Sequence, residues 1–512
     1  MADYPDEHFR NKVLDYVKFG IPIEYEKELN WVECKNWPST DEYRDKVDEF
    51  IIEHLKDGSI EGPFEEENEV IRCSPLGAFL KKDNTKVRVI HDLSWPPDES
   101  VNDILDKEDS RVKYVKVMDA VRLCDRYDSA WLGKSDLKDA YLQCPVRKEH
   151  RKYLGFIWER DNRDLKMRYA SLPFGLRPSA LKFTELGTAL LYMCKKNGAS
   201  QDTLSYLDDT ITVAGSAQGC KDSLDSIVRT SEAAGFKVQK NKVLGPSRKL
   251  EFLGIEIDCV NRQLQISEER MVEIRKEIAK WEEKTSCTKR QLLSIAGKLS
   301  FCATVVKDGS KFTRRLYGVA KKLKTMNSRI RINGEVRKDL RWWAKCLGSH
   351  NGIRWFPKEM NVLTAKLIFT DACNTGLGGI VDSKWTYMKF EGESSWIAAK
   401  SIPYKELLAV VVCVATFGWY IKGKEVIMNI DNKGIQEAVR KGKSAEKDIM
   451  ALIRVLYFYT TIYNISYETV HVKGINNGAA DCISRAKFQE LRKIAPYCDN
   501  YMTKPVDIIY NF

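Results

Sequence analysis

Two apolar-alternating runs meet at Ser205-Tyr206-Leu207-Asp208-Asp209-Thr210-Ile211-Thr212-Val213, with a pair of acids between them. Leu204 and Tyr206 on one side, Ile211 and Val213 on the other, keep the period of two expected of half-buried strands, so the stretch reads as a hairpin with Asp208 and Asp209 at its bend. Packing does not call for adjacent acids there, because uncompensated carboxylates near a core repel each other and are costly to desolvate. A divalent cation removes that cost. A solvated turn with two ordinary acids would satisfy the same residues, so the rest of the chain has to decide.

A third acid comes from Lys134-Ser135-Asp136-Leu137-Lys138-Asp139-Ala140-Tyr141, which follows the apolar run Ala130-Trp131-Leu132 and puts Asp136 at the end of a strand. Two Mg²⁺ ions about 4 Å apart, held by carboxylates of neighbouring strands, can activate an attacking hydroxyl and steady a leaving pyrophosphate in an in-line displacement. Asp136 and Asp208 would bridge both ions. Between these segments lies Leu172-Pro173-Phe174-Gly175-Leu176-Arg177-Pro178-Ser179, a turn-rich stretch that opens a helix.

In this order the three stretches resemble the palm of a reverse transcriptase of the retroviral and retrotransposon group: motif A with Asp136 and Tyr141, motif B with Pro173-Phe174-Gly175, motif C with Tyr206-Leu207-Asp208-Asp209. The resemblance implies a polymerase metal set of Asp136, Leu137 and Asp208 with Asp209 as neighbour. Tyr141 takes the position of the family's steric gate against a ribose 2′-hydroxyl, and Phe174 that of the platform under the nucleotide. The hairpin around Asp83-Asn84 would close over the triphosphate with Lys81 and Arg88, whose charge suits it, although a solvated basic hairpin has the same composition. Lys242 matches the motif D lysine, and Lys249–Ile257 resembles the primer grip.

The chain has 512 residues, 43% hydrophobic, enough for two or more domains with sizeable cores. No apolar run reaches the roughly 18 residues of a membrane span; Leu407–Ile421, the longest, also reads as a buried helix. The N-terminal residues lack the pattern of a secretory signal, so an intracellular protein is expected. Fourteen cysteines are scattered singly, without zinc spacing, and read as reduced packing residues. The net charge is +11, but residues 261–350 hold 22 Lys and Arg against 9 Asp and Glu, a local net of 22 − 9 = +13. Such a block suits a phosphate backbone.

Residues 1–40 show little periodicity and carry no assignable role. Asp41–Leu55 has helical spacing, stops at Gly58 and is expected on the outside of the fingers. Helical patterns at Ser267–Trp281, Thr288–Val305, Lys311–Lys324 and Glu335–Cys346 describe a basic thumb and short connection, in which Trp342-Trp343 is core or interface rather than a base-stacking platform. From Ala365 strands and helices alternate, and Asp371, Glu406, Asp431 and Asp481 fall at element ends. That order is similar to ribonuclease H. The resemblance makes these four the metal ligands for attack on an RNA phosphodiester, and His471 a mobile histidine of product release, although a lone histidine is more often structural. Residues 441–466 hold one mostly apolar helix and no separate basic handle.

The expected fold is a multidomain α+β chain: an N-terminal extension with the outer fingers helix (1–60), fingers and palm (61–258), a basic helical thumb and short connection (259–358), a ribonuclease H-like mixed α/β domain (359–490) and a tail (491–512). The expected partners are RNA template, DNA primer, RNA–DNA hybrid and deoxynucleoside triphosphates, with no membrane, and the cofactor is Mg²⁺, two per active site, with Mn²⁺ able to substitute. Arg88-Val89-Ile90-His91-Asp92-Leu93-Ser94 and Leu-Pro-Phe-Gly-Leu look most like the tyrosine-recombinase (DIRS-type) retrotransposons, with a long-terminal-repeat element or pararetrovirus second. A domesticated scaffold of the same fold that binds nucleic acid without chemistry is the alternative of another class.

Overall fold

The computed structural model describes residues 3–64, 70–80, 86–105, 112–350, 352–356 and 363–508. The chain divides into two units, Met1–Leu253 and Gly254–Phe512. The basic helical stretch and the α/β stretch, separated at 358 in the sequence reading, therefore lie in one unit.

In the first unit four antiparallel strands run in the order Thr203–Tyr206, Asp209–Ala214, Trp131–Asp136, Leu244–Ser247. Their alternation does what period two requires: Leu132, Ile211 and Val213 are fully buried. Helices Ser179–Lys196 and Ala217–Ala233 are in contact with this sheet and with each other. The second of them is started by Ser216, whose hydroxyl accepts from the Gly219 amide, and it sits so close that a Cβ on Gly133 would meet Leu224 at 2.7 Å. Strands Leu76–Leu80 and Val87–His91 form a separate hairpin, with Val87, Val89 and His91 buried and Arg88 exposed. The turn between them, 81–85, lies outside the described residues.

The opening residues have a structural role that their composition did not announce. Asp6 caps helix Glu7–Phe19, Tyr16 and Lys12 on that helix bond Glu185 at 2.8 and 2.7 Å, and Ile21 bridges Val146. They tie the chain's start to helix Ser179–Lys196.

In the second unit, short antiparallel strands Ile255–Asp258, Gln263–Gln265 and Ile353–Trp355 accompany helices Glu268–Ala279, Lys289–Cys302, Gly309–Lys321 and Gly334–Ser349, within a few residues of the expected spans. A five-stranded sheet follows in the order Lys384–Lys389, Gly376–Val381, Lys366–Ala372, Glu425–Ile430, Ser466–His471. The first three pair antiparallel and the last two join in parallel, as crossover connections through helices Ile402–Phe417 and Lys447–Ile462 allow. Helix Ile402–Phe417 is buried nearly all round, and among the described residues no helix is long and apolar enough to cross a membrane. All fourteen cysteines are free.

Helix Lys447–Ile462 packs on helix Gly334–Ser349 through a buried ion cluster. Arg454, 1% exposed, donates from Nε and Nη2 to Asp339 Oδ1 at 3.0 and 2.9 Å and from Nη2 to Glu335 Oε2 at 2.8 Å. Arg315 reaches the same two acids at 3.3 and 2.9 Å. Trp342 and Trp343 are fully buried, Trp342 donating to the Arg454 carbonyl at 3.0 Å, in keeping with core rather than stacking duty. After helix Phe488–Ile494 the chain runs beside strand Lys384–Lys389: the Asp499 amide donates to the Ser383 carbonyl, the Thr503 amide to the Trp385 carbonyl, and the Trp385 indole to the Asp499 carbonyl, at 2.8, 2.9 and 2.9 Å.

Candidate active site

The turn of the first hairpin consists of Leu207 and Asp208, since Tyr206 already pairs with Asp209. Leu207 adopts φ +53°, a conformation costly for a bulky side chain and typical of tightly determined functional turns. Strand pairing sets Asp136 opposite Asp209, and the Leu137 amide donates to the Asp208 carbonyl at 3.3 Å. Asp136, Leu137 and Asp208 thereby line one cleft of about 380 Å³ together with Arg88, Tyr141, Phe174 and Lys242. Asp209 turns to Lys134, 3.0 Å away.

Burial, with Asp136 and Asp209 beside it, pushes the Asp208 carboxyl up to about 6. Lys242 donates to Asp136 Oδ2 at 2.5 Å. Burial works against the Lys242 charge, but that bond and the charges of Asp136, Asp208 and Asp209 together outweigh it and hold the ammonium above its ordinary range.

The Tyr141 ring lies 5.0 Å from Phe174 and 5.3 Å from Phe183, so its orientation is fixed by two aromatic neighbours; burial pushes its phenol up to about 12. The Arg88 guanidinium stands 5.6 Å over the Phe174 ring. Phe174 is fixed by its neighbour: its carbonyl accepts from the His91 amide at 2.8 Å, and Gly175 at φ +116° leaves no room for a Cβ, which would fall 1.8 Å from the His91 carbonyl oxygen. The glycine of this motif is a steric necessity. Lys81 lies outside the described residues.

Helix Arg44–Lys56 corrects the sequence reading, which expected it outside the fingers. Val47 and Ile51 are buried, and Lys46, Glu49, Phe50, Glu53 and His54 form a second stripe that lines the cleft. Glu53 accepts from Lys138 at 2.8 Å, tying the helix to the Asp136 segment. The spacing i, i+3, i+4, i+7, i+8 of that stripe was visible in the sequence, but its mixed charges made it look solvated.

The second unit gathers another set. Asp371 ends strand Lys366–Ala372, Asp431 follows strand Glu425–Ile430, Glu406 lies in helix Ile402–Phe417 and Asp481 in helix Gly478–Ser484. Burial first, then Asp431 and Asp481, push the Asp371 carboxyl up to about 6 against a hydrogen bond from Ser484. Burial and Asp431 push Glu406 up to about 7. Arg485 holds Asp481 at 2.7 Å, and the exposed His471 ring Nε2 donates to the Asp431 carbonyl at 3.1 Å.

Among the described residues no three His, Cys, Asp or Glu form a ready-made metal cage. The donor chemistry fits a hard divalent cation in both places nonetheless. Glu406 Oε2 is buried without a hydrogen-bond partner, and Asp208 and Asp371 carry repulsion that a cation would relieve.

Residues 81–257 match the family model described as reverse transcriptase (RNA-dependent DNA polymerase). The chain is 24% identical over 358 residues to the enzymatic polyprotein of Figwort mosaic virus (strain DxS), covering 68% of this chain and 50% of that protein. It is 22% identical over 196 residues to the Gag-Pol polyprotein of Avian reticuloendotheliosis virus, covering 38% of this chain and 16% of that protein. The chain thus spans half or less of these relatives. Structures of the foamy viral protease-reverse transcriptase, in complex with RNA/DNA hybrid and with dsDNA, align at TM-score 0.49 and 14% identity over 91% of this chain and over 61% and 94% of theirs. The segment that carries Asp136, Phe174 and Asp208 thus matches the reverse transcriptase family model, and the similarity to these polyproteins supports a reverse transcriptase of the retroelement kind.

Proposed function

We infer that the chain is an RNA- and DNA-templated DNA polymerase with a ribonuclease H activity toward RNA in RNA–DNA hybrids. The observation that carries the polymerase half is the single cleft shared by Asp136, Asp208, Arg88, Tyr141 and Phe174. Arg88 offers its guanidinium to a triphosphate, Phe174 its face to sugar and base, and Tyr141 excludes a 2′-hydroxyl. Asp136 and Asp208 with the Leu137 carbonyl would hold Mg²⁺, which supplies charge neutralisation at the attacking and leaving oxygens. Lys242, at 2.5 Å from Asp136, is poised as a proton donor at the leaving pyrophosphate.

The nuclease half is supported by the sheet order, three antiparallel strands followed by two parallel ones, and by Asp371, Glu406, Asp431 and Asp481 at element ends, Asp371 electrostatically coupled to Asp431 and Asp481 and Glu406 to Asp431 and Asp371. That layout is ribonuclease H-like. Helix Lys289–Cys302 turns Arg290, Ser294 and Gly297 outward, with open space above Gly297, a surface that suits close approach of a duplex backbone.

Primer extension on RNA with Mg²⁺ tests the first half: Asp208→Asn should abolish it, and extension at the wild-type rate would remove the assignment. Asp431→Asn should abolish hybrid cleavage and leave extension, and loss of both would refute separate sites. A protein that binds template–primer but neither extends nor cleaves would be the silent scaffold, against which the intact carboxylates argue.

A further inference from the structure

The second unit holds a cleft of about 590 Å³ at the end of its five-stranded sheet remote from the carboxylates. Its walls include Gly423-Lys424-Glu425 and Asn464-Ile465-Ser466, which lead into strands Glu425–Ile430 and Ser466–His471. Asp431 and His471 stand at the other ends of those strands. Six residues of extended chain, roughly 20 Å, lie between the cleft and the carboxylates.

Among the described residues, the buried end of the cleft brings cations together around a single shared acid. Lys307 Nζ donates to the Ile465 carbonyl at 2.8 Å and to Ser466 Oγ at 3.4 Å, and Arg354 Nη1 to the Thr304 carbonyl at 3.0 Å. All three acceptors are neutral. The carboxylate that interacts with both cations, Asp308, also binds Lys311 at 2.9 Å and accepts the Tyr467 hydroxyl at 3.2 Å. One acid serves three cations. Lys424 adds a third at the wall, where Arg262 and Glu425 have interactions of their own. Burial and the like charge of Arg354, against the pull of Asp308, hold Lys307 down at about 8. Partly buried like charges are unfavourable unless an anion joins them.

Beside these cations stands Trp355, 51% exposed. Its indole is seated against the Gly423 backbone, where an added Cβ would come within 3.0 Å of the ring. An anchored, half-open aromatic next to a basic groove is the pattern that takes a base by stacking and its phosphates by charge. Lys307, Arg354 and Lys424 together exceed what one phosphate needs and suit successive phosphates of a strand.

We propose that this cleft binds a single strand of nucleic acid, with a phosphate between Lys307 and Arg354 and a base on Trp355. The site is separate from both carboxylate sites and does not depend on their chemistry.

The test loads the full chain with a blunt, unlabelled RNA–DNA hybrid, then irradiates it with a short oligothymidylate carrying 5-iodouracil and maps the crosslinks by mass spectrometry. Crosslinks are expected at Trp355 or Phe356. Lys424→Gln, at an exposed position, should lower their yield severalfold at moderate salt and reduce the slope of log affinity against log salt by ~0.7, with primer extension unchanged. Unlabelled oligothymidylate should displace the probe, and inorganic phosphate at equal phosphate concentration should not. Crosslinks confined to other segments, or a Lys424→Gln yield equal to wild type, would overturn the proposal. Equal displacement by inorganic phosphate would reassign the cleft to a free anion and overturn it as well.

Discussion

Replacing Asp339 by Asn tests the buried cluster that joins helix Gly334–Ser349 to helix Lys447–Ile462. Asp339 and Arg454 are 2% and 1% exposed in their side chains, so the guanidinium loses its charged partner without gaining water. Breaking one partner of a buried pair in this way costs about 3–5 kcal/mol. Glu335 softens the loss only in part, because it is shared with Arg315 and Lys338. Replacing both partners, Asp339→Leu with Arg454→Met, removes the stranded charge and should cost less than either single change, about 0–2 kcal/mol. Urea unfolding at pH 7 of the wild type, Asp339→Leu, Arg454→Met and the double variant, with Asp339→Asn beside them, closes a double-mutant cycle and reads the coupling directly. A single-variant cost below about 1 kcal/mol, or a double variant as costly as the sum of the singles, would refute the reasoning and make the cluster a solvated network.

Four further outcomes are expected. Tyr141→Ala should admit ribonucleotides in a primer-extension assay, and unchanged sugar selection would remove the gate role. Gly175→Ala forces a Cβ to 1.8 Å from the His91 carbonyl and should destabilise by at least about 3 kcal/mol with loss of extension, which thermal melting and a gel would read. His91 is fully buried, and burial holds its ring down at about 4. Its folded value lies below the unfolded one, so its contribution to stability is intact above about pH 6.5 and is lost as pH falls from there toward 4, to about 3 kcal/mol. Unfolding between pH 7 and 4.5 should show the decline, and His91→Gln should reduce it, leaving the part that His350, also held at about 4 by burial, contributes. Glu53→Gln should weaken nucleotide binding in extension kinetics while sparing hybrid cleavage, and unchanged kinetics would return helix Arg44–Lys56 to a purely structural part.

The carboxylates could be read from the chain because each closes a local pattern: Asp208 ends a run of alternating residues, Asp136 another, and strand pairing then has little freedom in bringing them together. Gly175 was legible as a turn, though its reason, the His91 carbonyl, is 84 positions upstream and is brought against it only by the fold. Arg454 was illegible for the same cause. It sits in a helix whose neighbours are apolar, and its acids are 115 and 119 residues away. Residues 1–40 hid their role because single contacts such as Tyr16 with Glu185 leave no periodic trace. Helix Arg44–Lys56 was read correctly as a helix and assigned the wrong side, since mixed charge on a stripe signals solvent and an ion-lined cleft equally well.

The segment that runs beside strand Lys384–Lys389 does for this sheet what a lid does for a zipper. Its amides at 499 and 503 occupy carbonyls at 383 and 385 that would otherwise stand open to a passing strand of another molecule. Trimming the chain before residue 499 should therefore yield a protein that still carries all the carboxylates of both candidate sites and yet clumps at concentrations where the longer version stays dispersed.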